Sequence, residues 1–193
     1  MTPTDAELIE RSWHEPEHFA TIFDRHAPHI QRYLARRLGG EAADDLVAET
    51  FLAAFAKRKS YDGGRPDARP WLYGIATHVV GQHRRTEVRR YRLREAIAPA
   101  PAEACHADRV AADVTAQSLR ASLASALASL ATPDRDVLLL IAWEQLTYDE
   151  VASALKIPVG TVRSRLNRAR RKVREVLGAQ DHNTVLEELL SNG

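Results

Sequence analysis

From residue 163 to residue 174 the chain carries Arg163, Arg165, Arg168, Arg170, Arg171, Lys172 and Arg174 and no acid, while Val162, Leu166, Ala169 and Val173 recur at the spacing of one helical face. Such a helix buries one side and keeps its cations on the others. The residues before it complete a unit. Thr147 and Glu150 stand at the separation of a capping box, Tyr148, Val151, Ala152 and Leu155 give the following helix a core face, and Lys156-Ile157-Pro158-Val159-Gly160 is a turn. A short capped helix, a tight turn and a longer basic helix make a helix-turn-helix. A charged surface helix in a bundle is the plainer reading of the cations alone. Cap, turn and the acid-free run together favour DNA.

The polarity of the last helix sharpens this. Ser164, Asn167, Arg168 and Arg171 fall opposite the apolar face. Arginine matches the hydrogen-bonding edge of guanine and asparagine that of adenine. Arg163, Arg165, Arg170 and Lys172 flank that face and suit phosphates. Thr161, at the start of the helix, joins the same candidate set.

The net charge of +1 over 193 residues hides segregation. The first 24 residues are acidic, with Asp5, Glu7, Glu10, Glu15, Glu17 and Asp24 against Arg11. A second basic stripe, Arg84, Arg85, Arg89, Arg90, Arg92 and Arg94, contains only Glu87. Two such stripes in a near-neutral chain imply two contacts with a polyanion. Cys105 is the sole cysteine, so neither an intramolecular disulfide nor a thiolate zinc site is expected, which fits a reducing cytosol. The acidic, polar N-terminus does not resemble a signal peptide, and no apolar run approaches the ~20 residues needed to span a bilayer.

Glycine and proline are sparse and β-branched runs short, so the expected fold is all-α: two small helical domains joined by a flexible linker, the C-terminal one containing the helix-turn-helix. In the first block Phe19, Ile22, Phe23, Ile30, Tyr33, Leu34 and Leu38 mark one helix, stopped by Gly39-Gly40. Val47, Phe51, Ala54 and Phe55 mark a second, ended by the turn Tyr61-Asp62-Gly63-Gly64. Leu72, Ile75, Ala76 and Val79 mark a third, beginning after Pro70. Residues 96–118 lose the large apolar side chains and contain Pro99 and Pro101, which reads as the linker. In the second block Leu119, Leu123, Leu127 and Leu130 mark a helix, Thr132 is placed to cap the next with Pro133 at its first position, and Val137 to Ile141 is apolar enough to be buried.

The stretch TYDEVASALKIPVGTVRSRLNRARRKVRE resembles the fourth conserved region of bacterial sigma factors, which reads the −35 promoter element. Output domains of response regulators share a looser version, so this region alone leaves two families open. AADDLVAETFLAAFAKRKSYDG resembles the second sigma region, and RPWLYGIATHVVGQHRR the segment that opens and reads the −10 element. No strand-helix alternation of a receiver domain accompanies them. Regions one and three of housekeeping sigma factors have no counterpart, a pattern similar to the extracytoplasmic-function (ECF) group. The resemblance spans residues 19–177 and divides the chain into an N-terminal extension (1–18), region two (19–95), linker (96–118), region four (119–177) and tail (178–193).

The resemblance implies a transcription initiation factor, not an enzyme, acting in the cytoplasm without cofactor or metal. Its implied partners are core RNA polymerase, through the β′ clamp helices and the β flap, and promoter DNA; an anti-sigma protein, common in the family, is a further candidate. It implies that Asp44, Asp45, Leu46, Glu49 and Thr50 meet the polymerase, and that Trp71, His78, Gln82, His83, Arg84 and Arg85 meet the −10 element. Independently, His78, Gln82, Arg85 and Arg89 share a helical face, a polar stripe leading into an arginine run, suited to a strand held by its backbone while bases leave the stack. An exposed helical histidine is the ordinary alternative for His78. Many ECF factors have Asn there, a departure that bears on the −10 base preference. Acids at the start of a helix also stabilise its dipole by ~0.3–1 kcal/mol without any partner.

His14-Glu15-Pro16-Glu17-His18 matches the H-E-x-x-H pattern of zinc peptidases, but Pro16 disfavours the single helical turn that would bring both histidines to one face. Cys105-His106 is incidental, and no glycine-rich phosphate loop is present. The remaining rivals are a stand-alone repressor or activator binding duplex DNA without polymerase, and a zinc hydrolase built on His14 and His18. Val185, Leu186, Leu189 and Leu190 fit either a short docking helix or a frayed end.

Overall fold

The computed structural model describes residues 2–97 and 122–178, and among these it is helical with no strand. The elements are α1 (Asp5–Arg11), α2 (His18–Leu38), α3 (Gly40–Lys57), a 3-10 turn (Arg58–Ser60), α4 (Arg69–Ile97), α5 (residues 122–128), α6 (Thr132–Ala142), α7 (Tyr148–Leu155) and α8 (Val159–Gly178). The expected linker, apart from its first two residues at the end of α4, lies outside the described residues, as do Leu119 and the tail beyond Gly178.

Helices α2, α3 and α4 pack together through the three stripes read from the sequence. Ile22, Ile30, Tyr33 and Leu34 meet Val47, Phe51 and Ala54 of α3 and Leu72, Tyr73, Ala76 and Val79 of α4 in one buried core. Edge-to-face aromatic pairs close its ends: Phe19 with Phe55 at 5.3 Å between centroids, and Tyr33 with Tyr73 at 5.3 Å. Phe23 departs from expectation. It is 44% exposed and only rests its edge on Phe51.

The first residues are not an appendage. Thr4 and Glu7 form a reciprocal capping box that starts α1, and Leu8 and Ile9 are buried against α2. Asp5 is buried too, and its carboxylate accepts from Arg25 at 2.9 Å, His26 at 2.7 Å and the Ala68 N–H at 3.0 Å. Burial alone would raise its pKa. The bonds from His26, Ala68 and Arg25 outweigh that and hold it at about 2. One side chain thereby ties α1 to α2 and to the loop entering α4.

The second group is α5 to α8, with Val137, Leu140, Val151, Val162, Leu166, Ala169 and Val173 inside. Thr147 and Glu150 form the expected capping box. Thr132 is not the expected cap. Helix α6 begins at Thr132 itself, the residue in cap position is Ala131, and no side chain takes that role. Between α7 and α8 the chain reverses at Lys156, which adopts a left-handed conformation (φ 54°) while its N–H and that of Ile157 close on the last carbonyls of α7.

The two groups are packed on each other, an arrangement that no periodicity in the chain foretells. α7 lies against α4 so closely that a Cβ on Gly74 would stand 2.2 Å from the Ala154 carbonyl oxygen. Beside this contact the Arg37 side chain, 1% exposed, pairs with Asp136 of α6 at 2.5 Å and donates to the Tyr33 hydroxyl at 2.7 Å, which in turn bonds Thr77. The Tyr73 hydroxyl donates to the Glu144 carboxylate, and Arg69 donates to the Glu144 carbonyl at 3.1 Å. Burial, together with the Glu144 carboxylate, pushes the Tyr73 phenol well above its usual range. Buried polar groups of one domain therefore find their partners on the other.

Candidate nucleic-acid interface

Three surfaces follow from this frame. The first is the outer face of α8. Because Val162, Leu166, Ala169, Val173 and Leu177 are buried, Arg163, Ser164, Asn167, Arg168, Arg171 and Lys172 are exposed, with Thr161, Arg165 and Arg170 half-buried at the flanks. Among the described residues Arg163, Arg165 and Asn167 make no ion pair and no side-chain hydrogen bond. Ser164 donates back to the Thr161 carbonyl at 3.0 Å, and Arg171 and Lys172 reach Glu175 at 3.7 and 3.5 Å. Arg168 alone is held from outside its own helix, by Asp134 of α6.

The second surface runs along α4. His78 and Gln82 are exposed and bonded to each other at 2.9 Å, and Arg85 is exposed one turn further on. Trp71 stacks edge-on to Tyr61 at 5.0 Å. Trp71, His78 and Arg85, with Lys57 and Arg65, line one wall of a cleft of about 670 Å³ whose other wall includes Ser153 and Lys156 of the second domain. His83 turns aside to Glu87 at 3.4 Å. Arg84 differs from expectation: it is half-buried and donates to the Arg37 carbonyl at 3.0 Å. Burial, then the nearby Arg135 and Arg37 cations, lower its pKa, and its hydrogen bond ties α4 to the end of α2 within the first domain.

The third surface is the solvent side of α3. Asp44, Asp45 and Glu49 are exposed, and Asp44 accepts from Gln31 at 2.7 Å. Leu46 (4% exposed) and Thr50 (0%) face inward, and Thr50 bonds the Leu46 carbonyl. Neither offers a side chain to a partner, because the helical repeat that exposes Asp45 and Glu49 buries positions one residue further on. Leu52, 70% exposed, continues the acidic stripe as an apolar surface residue that sequence reasoning missed. An apolar residue out of phase with the core stripe was the available signal. On α4, one turn before His78, the α7 backbone approaches Gly74 so closely that no Cβ fits, whereas a Cβ on Gly81, three residues after His78, would meet nothing within 4 Å.

Upstream of Pro16 the chain leaves α1 in turns and α2 begins only at His18, so His14 and His18 do not share a helix; His18 instead meets Glu15 at 2.7 Å. Asp5, His26 and Asp67 approach one another, but Arg25 and the Ala68 N–H already occupy the Asp5 carboxylate. Among the described residues no helix is long and apolar enough to cross a membrane.

An all-helical chain with a helix-turn-helix at one end and a polar, partly cationic helix face at the other is a DNA-binding transcription protein in class. Comparison with known proteins narrows this. Residues 22–90 match the family model "Sigma-70 region 2" and residues 120–173 match "Sigma-70, region 4". The chain is 35% identical over 164 residues to the RNA polymerase sigma factor CarQ of Myxococcus xanthus, covering 83% of this chain and 89% of that one. It is 31% identical over 166 residues to the ECF RNA polymerase sigma factor SigW of Bacillus subtilis (strain 168), covering 82% and 88%. Among solved structures, CnrH in complex with the cytosolic domain of CnrY superposes with a TM-score of 0.63 at 26% identity over 92% of this chain and 99% of that one. The fold is also that of the sigma factor RpoE, solved with the anti-sigma factor NepR from Bartonella quintana (TM-score 0.60, 23% identity, 84% and 98% covered). The chain belongs to the ECF sigma factors, a family of transcription proteins that are not enzymes. It binds core RNA polymerase and directs it to promoters, and the stand-alone repressor is not favoured.

Proposed function

We propose that residues 19–95 dock on core polymerase and capture the opened −10 strand, and that residues 119–177 set the upstream address at −35. The observation that carries this is the outer face of α8, where exposed Arg163, Asn167 and Arg168 stand opposite a fully buried apolar stripe. Asn167 and Arg168 meet base edges, and Arg163, Arg165, Arg171 and Lys172 meet phosphates. Thr161 and Ser164 sit at the end of α8 that enters the groove first. On α4, Trp71, His78 and Gln82 meet flipped or stacked bases, and Arg85 with His83 follows the strand. Arg84 contributes by holding α4 to the end of α2 through the Arg37 carbonyl. On α3, Asp44, Asp45, Glu49 and Leu52 form the polymerase-facing stripe.

The mechanism needs no catalysis by this chain. Unstacking duplex DNA costs on the order of 1.4 kcal/mol per base-pair step, and contacts to the flipped bases and the strand backbone offset it. The chain acts in the cytoplasm without cofactor or metal. An anti-sigma protein is its third partner, a reading supported by the two solved relatives: RpoE is bound to one, and CnrH to the cytosolic domain of CnrY. Run-off transcription with core polymerase over a genomic promoter library tests the reading: transcripts from a set of promoters sharing −35 and −10 sequences are expected. Equal run-off with and without this chain would overturn it.

A further inference from the structure

Resting on the reading that α8 enters the −35 element, we propose that Asp134 is a positioning residue for base readout: it locks the Arg168 guanidinium so that its free end is aimed at a guanine. Asp134 stands in the first turn of α6, just after Pro133, 34 positions from Arg168 in sequence. Its two carboxylate oxygens accept side-on from Arg168, Nε to Oδ2 at 3.1 Å and Nη2 to Oδ1 at 3.0 Å. That pairing uses the Nε–H and one Nη2–H. Of the five guanidinium donors, both Nη1 hydrogens and the outer Nη2 hydrogen are left. These lie at the far end of the same rigid plane, in the fork that matches O6 and N7 of guanine.

Exposure separates the two partners. The Asp134 side chain is 14% exposed and set in the fold, whereas Arg168 is 54% exposed and reaches outward. The half-buried residue therefore sets the direction of the exposed one. An unrestrained arginine must give up much of its rotamer freedom on reading a base, and a pre-set plane removes most of that cost. The carboxylate also has a drawback. It is an acid beside the helix that approaches DNA phosphates, so it weakens binding that does not depend on sequence. An acid placed there is explained by orientation, whereas a simple clamp between α6 and α8 would act without regard to the base.

The test uses holoenzyme assembled from core polymerase and the full chain, on a promoter library randomised across the −35 element. Asp134→Ala is expected to reduce preference for guanine at a single position by about tenfold, with binding to off-consensus promoters unchanged or tighter. Arg168→Ala is expected to relax the same position, and the double variant to be no worse than Arg168→Ala. Asp134→Asn, which keeps one acceptor and removes the charge, is expected to fall between wild type and Asp134→Ala. A uniform weakening on all promoters, an unchanged profile, or relaxation at a position other than a guanine overturns the proposal. If Asp134→Ala lowers the melting temperature, the Asp134→Asn profile decides. Wild-type holoenzyme with no −35 preference would instead sink the underlying reading of α8.

Discussion

Replacing Gly74 by alanine sets two effects of opposite sign against each other. Within α4 the change removes the conformational cost of glycine and favours the helix by about 1 kcal/mol. Across the seam the new Cβ stands 2.2 Å from the Ala154 oxygen and 2.9 Å from its carbonyl carbon, both backbone atoms of α7. Real Cβ atoms essentially never come that close, so α7 must retreat by about 1 Å, and a rotamer change cannot relieve it. Overpacking of this kind costs ~1–3 kcal/mol, which moves a two-state equilibrium by ~5–150-fold. The first domain should thus melt no lower than wild type while the second separates from it. Gly81 is the internal control: it lies on the same face of α4, and a Cβ there meets nothing within 4 Å. Fluorescence energy transfer between dyes on cysteines replacing exposed Lys59 and Arg174, in a Cys105→Ser background, reports the seam. Gly74→Ala is expected to lower transfer and to raise affinity for single-stranded −10 DNA, since α7 no longer covers that stretch of α4. Gly81→Ala is expected to leave transfer as in wild type. Unchanged transfer in Gly74→Ala, or an equal fall in Gly81→Ala, would show that the close approach at Gly74 does not hold the domains together.

Asp136→Ala leaves the Arg37 guanidinium buried without its carboxylate, and breaking such a pair costs about 3–5 kcal/mol, read as a lower urea midpoint; Arg37→Met with Asp136→Leu should recover most of it. Asp5 has a folded-state pKa of about 2 against an ordinary 3.8, so its stabilising contribution is present above pH ~4 and fades as pH falls toward 2. That shift is worth on the order of 2 kcal/mol, and the stability gap between wild type and Asp5→Asn should close over that window in acid titrations followed by circular dichroism. Asp45→Arg with Glu49→Arg should abolish co-purification with core polymerase and leave the helical spectrum intact, because both side chains are exposed and neither caps α3; normal affinity would remove α3 from the interface.

The helices and their inner faces were legible because each is amphipathic over several turns. Val162, Leu166, Ala169 and Val173 had only one way to face inward, and Thr147 with Glu150 fixed where α7 starts. Helix α1 carries a signal of its own in Thr4 and Glu7, a capping box, but its seven residues are too few for a periodic apolar face to show. What periodicity could not convey was the seam. Arg37 and Asp136 lie 99 positions apart and each reads locally as a surface charge on its helix. The same holds for Asp134 and Arg168. Leu46 and Thr50, which the resemblance assigns to the polymerase-facing set, are buried because a helix divides a run of neighbouring residues between two faces.

In the mechanism proposed for this chain, α8 reads −35 bases while α4 opens and reads −10. One promoter library tests that division of labour most directly, with run-off for output and permanganate footprinting for opening. Asn167→Ala should cost about 1–3 kcal/mol and relax preference at particular −35 positions. Arg85→Ala should weaken opening on all promoters alike and flatten its salt dependence by about one unit of slope for each phosphate left without its cation. His78→Ala with Gln82→Ala should spare duplex binding and impair opening, with any change in base preference confined to −10. Identical, sequence-independent weakening by Asn167→Ala and Arg85→Ala, or normal opening by the His78 and Gln82 double variant, would contradict it.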